Sequence, residues 1–238
     1  YGKKQVRSFL ISSAFFWLEK MQVDGLRVDA VSSMVYRDFG LHIGPKTTAV
    51  QQQNLNVAAI DFLKELNTAV HQHVPAALMI AEEASPFKGV SKPVQEGGLG
   101  FDMKWNMGWM NDTLAYFAKK HSQRQLYHHF LTFSLMYAFS EKFLLPFSHD
   151  EVVHAKGSLF GRMPGSPTEK FANLRLLYSY MICHPGKNLL FMGGELAQEK
   201  EWNVLAEIDW HLLAKKPHAS LWLFIKDMNH FYLRNSVF

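Results

Sequence analysis

The stretch DGLRVDAV places Arg27 and Asp29 two residues apart. Side chains alternate faces in an extended segment, so both project from one face, with Leu26 and Val28 on the other. A guanidinium beside a carboxylate favours the anion by charge and hydrogen bonding. An ionised, oriented carboxylate can be a nucleophile, or half of a structural ion pair at a strand end. A second stretch, AALMIAEEA, ends an apolar run in Glu82 and Glu83. Alternation lets only one of them share a given face. A carboxyl among apolar neighbours has a raised pKa, as a general acid needs; strand-end charges facing water are the plainer alternative for either. A third stretch, KFLLPFSHDEVVH, gathers His149, Asp150, Glu151 and His154, and HPGKNLLFMGGE ends in Glu195.

The histidines invite a metal reading, but the zinc pattern H-E-x-x-H fails: His149 is followed by Asp, and the next His is His154. A His–Asp pair at a strand end can instead hydrogen-bond adjacent sugar hydroxyls. Trp105, Trp109, Trp202 and Trp210 can stack on sugar rings, with core packing the simpler role. Lys104 and the lysines of 84–100 read as solvated. Carboxylates on several strand ends, with Arg and His beside them, fit glycosidic-bond chemistry. One carboxylate attacks, one carboxylic acid protonates the leaving oxygen, and a further anion stabilises an oxocarbenium-like transition state. That chemistry requires no metal or cofactor.

These acids must be held by strands. Apolar residues at helical spacing (Val6, Leu10, Ala14, Phe15, Leu18) predict a helix over 3–21, before a turn at Asp24-Gly25 and the strand LRVDAV. A helix over 55–74 precedes the strand 77–83, and a Pro-, Gly- and Lys-rich loop fills 84–100. FDMKW (101–105) is a weak strand candidate. Helices are expected over 108–120 and 124–139, a strand over 142–148 and a long loop over 150–168. A helix over 169–184, ended by Pro185-Gly186, a strand over 188–193 and a closing helix over 219–235 complete the pattern. Short apolar strands alternating with helices imply a parallel sheet covered on both faces. The first strand lacks a dinucleotide-type glycine fingerprint, and there is no P-loop. In a (β/α)8 barrel the active residues collect at the C-terminal ends of several strands, which is where these acids fall. Five strands are visible, so three more are expected ahead of Tyr1.

Composition narrows the classes. The 238 residues suffice for a large α/β domain with its own core, and 48% are hydrophobic. The net charge of +4 comes from scattered basic residues, without the block that tracks a phosphate backbone, so nucleic acid is not expected. No run approaches the ~18 apolar residues of a membrane span, and no secretory signal opens the chain. The single cysteine, Cys183, is expected as a small buried helix residue and fits a reducing compartment, the cytoplasm. The chain starts without Met and stops just after a helical pattern, as a piece of a longer protein would.

The order and separation of DGLRVDAV, AEE and SHDEVVH resemble regions II, III and IV of the α-amylase superfamily. The stretches QVRSFL and FWLE, GGLGFDMKWNMGWMNDTL, KFANLR, HPGKNLLFMGGELAQEKEW and DW are similar to the bacterial 1,4-α-glucan branching enzymes, over nearly the whole chain. The resemblance implies a partial (β/α)8 barrel, strands 4 to 8 with their helices, spanning 1–238 as the C-terminal part of the catalytic domain. An N-terminal module, strands 1–3 and a C-terminal β-sandwich would then lie outside it. It implies Asp29 as nucleophile, Glu82 as general acid/base and Asp150 as the third carboxylate, with Arg27 and His149 binding substrate and Glu83 in support. The implied reaction is retaining transfer of an α-1,4-glucan chain to a 6-hydroxyl, with glucan as donor and acceptor.

Two stretches depart from the family pattern. GLHIGPKTTAVQQQNLNV lacks an expected Gly pair and carries Gln53 in place of Glu, and NVLAE follows Trp202 where Asn-His-Asp is usual. An amylase- or trehalohydrolase-like hydrolase and a non-catalytic glucan-binding half-barrel are the competing readings. The 238 residues alone are expected to be inactive and poorly soluble, because an open half-barrel exposes sheet edges and apolar faces.

Overall fold

A computed structural model describes residues 1–39 and 54–237, so the divergent stretch around Gln53 lies outside the described residues. The chain divides into two compact units, Tyr1–Trp105 with Ser140–Lys142, and Asn106–Phe139 with Phe143–Phe238.

In the first unit, α1 (Lys4–Phe15) continues through a π-helical turn, Phe16–Lys20. It buries Ala14 and Leu18, a narrower apolar face than its sequence promises, and leaves Phe9 exposed. Strand β1 (Gly25–Val28) leads through Asp29 and Ala30 into α2 (Val31–Val35). Gly25 is dictated by contact: a Cβ there would run into the Leu78 carbonyl. Helix α3 (Val57–His73) packs Phe62, Leu63, Leu66 and Val70 against Met79 and Ala81 of β2 (Leu78–Ala81). Strand β3 (Met103–Trp105) is short but real. Strands β1 and β3 each pair in parallel with β2, with Arg27 opposite Ile80, Val28 opposite Ala81, and Ala81 opposite Lys104. Registered residues share a face. Met79, Ala81, Glu83 and Lys104 thus occupy one face, and Arg27, Glu82 and Trp105 the other. The loop after β2 is ordered by Glu141, whose carboxylate accepts the backbone N–H groups of Gly89, Val90 and Ser91 at 2.7–3.0 Å.

In the second unit, α4 (Met107–Phe117) is capped by the Asn106 side chain, which accepts the Trp109 N–H at 2.9 Å. Strand β4 (Phe143–Phe147) is buried throughout and pairs in parallel with β5 (Lys187–Leu190). Between them lie α6 (Leu159–Arg162) and α7 (Pro167–Cys183). Helix α7 starts at a capping box of Ser166 and Glu169 with Pro167 in its first turn. Helix α8 (Lys216–Arg234) closes the chain. Trp109, Phe117, Phe147, Leu174, Leu177, Tyr178 and Leu221 form the core.

Four expectations need correction. The predicted helix over 124–139 is a chain of short turns, His121–Tyr127, α5 (His129–Thr132) and Phe133–Met136. One tertiary bond takes a carbonyl of the helix ladder, the Tyr180 hydroxyl donating to the Leu131 carbonyl at 2.6 Å, and a second anchors the segment, buried Ser134 Oγ bonding His184 at 2.9 Å. His, Phe, Thr and Tyr also propagate a helix weakly. Cys183 is exposed, because the last turn of α7 buries Met181 and Ile182 instead. Lys104 is not solvated; it is 8% exposed and paired with Glu83. Among the tryptophans, Trp105 and Trp109 are buried, Trp202 is half-buried and Trp210 is exposed. The loop over 150–168 holds two helical turns, His149–Val152 and α6.

Candidate active site

The β1–β2 ladder runs past its last strand pair. The Glu82 N–H donates to the Val28 carbonyl at 3.0 Å, and the Val31 N–H to the Glu82 carbonyl at 2.9 Å. This sets Asp29 beside Glu82 at the C-terminal ends of two adjacent strands. Ala30 turns the chain into α2 with φ of 47°, a left-handed conformation costly for a residue with a Cβ. In that turn its N–H points at Glu82 Oε2, 3.2 Å away.

Arg27 links the two acids. Its Nη1 donates to Asp29 Oδ1 at 2.9 Å and to Glu82 Oε2 at 2.5 Å, and its guanidinium lies 4.7 Å from the Trp105 ring centroid. The acids occupy different surroundings. The Asp29 side chain is 73% exposed and that of Glu82 20%. Desolvation raises the Glu82 pKa first, and a side-chain hydrogen bond and the charge of Asp29 raise it further; the Ala30 N–H and Arg27 pull it down less. One carboxyl held towards its acid form beside an accessible one is the division of labour that acid-plus-nucleophile chemistry requires.

Glu83 points the other way, 1% exposed. Its Oε1 accepts from Ser32 Oγ and the Ser85 N–H, each at 2.8 Å, and from the Ser85 hydroxyl, while Oε2 meets Lys104 Nζ at 2.5 Å. Ser32 belongs to α2, so this network ties the turn after Asp29 to the end of β2. Ser32 and Ser85 carry no sequence signal of their own. The clue was Glu83, which alternation turns away from Glu82 and which therefore needs a cation on its own face. Replacing Lys104 by Met should cost about 3–5 kcal/mol of folding stability by leaving Glu83 buried and unpaired. Chemical denaturation checks this, and a loss under 1 kcal/mol would contradict it.

In the second unit the C-terminal end of β4 carries Ser148, His149 and Asp150. Glu151 is not a ligand reaching outward. It is buried and accepts the Ser148 N–H at 2.7 Å, closing a capping box on its own turn. His149 Nε2 lies 3.5 Å from Asp150 Oδ1, both side chains being more than a third exposed. His154 stands apart, exposed, with φ of 58°. Lys156 Nζ donates to the Asp150 carbonyl at 2.7 Å, and Glu201 accepts the Ala155 and Gly157 N–H groups. Phe191 sits between the rings of His149 and Trp202, 5.9 and 5.2 Å from them. Glu195 is half-buried in the turn Gly194–Leu196, where the Tyr178 hydroxyl donates to the Gly194 carbonyl at 2.8 Å. The divergent NVLAE stretch is an exposed turn in which Asn203 Oδ1 accepts the Leu205 N–H at 2.9 Å.

Comparison with known proteins gives a consistent result. The alpha-amylase family profile (alpha amylase, catalytic domain) matches residues 1–233. The chain is 55% identical over 234 residues to the 1,4-alpha-glucan branching enzyme GlgB of Protochlamydia amoebophila, covering 98% of this chain and 32% of that protein. It is 54% identical over 234 residues to GlgB of Aquifex aeolicus, with 98% and 37% covered. The chain thus spans about a third of the length of the relatives it matches. Among solved structures, the cyclic alpha-maltosyl-(1→6)-maltose hydrolase of Arthrobacter globiformis superposes with a TM-score of 0.58 at 15% identity, over 93% of this chain and 44% of that one. That likeness concerns the fold: five strands alternating with helices, a partial (β/α)8 barrel of the α-amylase type. Among the described residues no helix is long and apolar enough to cross a membrane.

Proposed function

Because the chain belongs to the α-amylase catalytic-domain family, we propose that it carries the catalytic carboxylates of a 1,4-α-glucan branching enzyme, on barrel strands 4 to 8. The observation that carries this reading is the Arg27-bridged pair of Asp29 and Glu82, with Glu82 held towards its acid form. The 54–55% identity to branching enzymes favours transfer over hydrolysis.

In this reading Asp29 attacks the anomeric carbon of an α-1,4 linkage as Glu82 gives its proton to the departing chain oxygen. The bond to that oxygen breaks and a covalent glycosyl-Asp29 ester forms. Glu82, now the base, removes the proton from a 6-hydroxyl of a second glucan chain, whose oxygen displaces Asp29 and forms an α-1,6 branch. Asp150 and His149 hold sugar hydroxyls, and the Asp150 charge stabilises the oxocarbenium-like transition state. The activity belongs to glycogen synthesis and needs no cofactor. A cytoplasmic location is part of this reading.

Amylose incubated with the full-length protein should lose iodine colour and gain α-1,6 linkages with little new reducing power. A matching rise in reducing ends would replace transfer by hydrolysis, and no change at all would leave glucan binding without catalysis.

A further inference from the structure

We infer that Trp105 is a positioning residue: its ring holds the Arg27 guanidinium in the one place where it reaches both Asp29 and Glu82. The inference rests on the functional reading above and adds a residue to it.

The register gives the geometry. Arg27 pairs with Ile80 on the neighbouring strand, and Ile80 with Met103 on the next. Arg27, Glu82 and Trp105 therefore rise from one face of three successive strands, with β2 in the middle. To meet the Trp105 ring at 4.7 Å, the Arg27 side chain must cross over β2, and in crossing it passes its Nη1 to Glu82 at 2.5 Å and Asp29 at 2.9 Å. An arginine carries several rotatable bonds and loses much freedom when fixed. The carboxylates bond one nitrogen and leave the plane of the guanidinium undetermined. A buried indole, 4% exposed, supplies that plane. Cation–π attraction is strongest for Trp and grows when the pair is shielded from water.

Among the described residues of this unit, the groups facing Glu82 are Asp29, Arg27 and the Ala30 N–H, while Glu83 and Lys104 occupy the opposite face. Of these, Arg27 is the cation that opposes the upward push on Glu82. A guanidinium that swings away leaves Glu82 a weaker acid still.

The test compares Trp105→Leu and Trp105→Phe with wild type in the full-length protein, using pH–rate profiles of glucan transfer. Trp105→Leu should lower kcat at neutral pH about tenfold, leave KM within about twofold and move the alkaline limb to higher pH. Trp105→Phe, which keeps a ring under the cation, should keep the wild-type limb and lose less than about threefold. A purely packing role would reduce the folded fraction, read by circular dichroism, without moving the limb. An unmoved limb in Trp105→Leu, or equal damage in both variants, overturns the inference. Should wild type hydrolyse glucan rather than transfer it, the limb still reports on Trp105. A wild type with no activity on glucan overturns the functional reading itself.

Discussion

Replacing Asp29 by Asn in the full-length protein abolishes turnover, by roughly 10⁴-fold or more, while the fold persists. The amide keeps the shape of the carboxylate and can still accept a hydrogen bond from Arg27, now 2.9 Å from Asp29 Oδ1. It lacks the charge and nucleophilicity needed to form an ester with the anomeric carbon. The exchange is isosteric and keeps an oxygen at the place Arg27 meets, so the local geometry is retained. A glycosyl fluoride donor separates the roles of the two acids. Fluoride leaves without a proton, yet the bond still needs a nucleophile, so Asp29→Asn remains inactive on it. The same variant makes a second, independent prediction. Asp29 raises the Glu82 pKa both by accepting a hydrogen bond from its acid form and by its charge. Without that carboxylate the Glu82 pKa falls, which carbon-13 NMR of a labelled carboxyl reads directly. Transfer activity within a hundredfold of wild type, or an unmoved Glu82 titration, would count against the assignment.

How much of this was legible depends on which physical rule governed each residue. Arg27 and Asp29 could be placed on one face because strand alternation is local. That Glu82 stands beside Asp29 is a matter of inter-strand register, which the sequence does not specify, since Val28 and Ala81 lie 53 positions apart and pair only in three dimensions. The same gap hid the Glu83–Lys104 pair. Read alone, a lysine in a three-residue strand is a solvated charge; given the register, it shares a face with Glu83 and must answer it. The helix expected over 124–139 failed for a related reason: Tyr180 on α7 claims the Leu131 carbonyl and His184, just past α7, anchors the Ser134 hydroxyl, and no local pattern announces either. Cys183 shows how little error suffices. A helix turns by 100° per residue, so one position separates the buried face at Ile182 from water at Cys183. The chemistry-bearing acids are legible in the sequence because strand ends, unlike tertiary partners, are marked by where an apolar run stops.

Replacing Glu82 by Gln lowers turnover on glucan roughly 10²- to 10⁴-fold and at the same time stabilises the folded protein at pH values above the Glu82 titration. The first effect is loss of the proton for the leaving chain and of the base for the acceptor hydroxyl. A glycosyl fluoride restores the first step in this variant, so a glycosyl-Asp29 intermediate accumulates and is visible by mass spectrometry; Asp29→Asn gives none. The second effect follows from linkage. Desolvation leads the causes that raise the Glu82 pKa in the fold, so the folded state binds this proton more tightly than the unfolded chain. The resulting stabilisation is complete below the unfolded value of about 4.3 and is lost as pH rises through the raised folded value. Above it, wild type carries a partly buried anion that the fold disfavours, and Gln removes that charge while its amide oxygen still accepts from Arg27 and the Ala30 N–H. The melting temperature of Glu82→Gln should therefore exceed that of wild type above the Glu82 titration, with the gap closing as pH falls through it. A gap that widens towards acid would mean Arg27 outweighs desolvation. Glu82 would then sit as an ordinary ion-paired carboxylate, and the proton donor would have to be sought elsewhere.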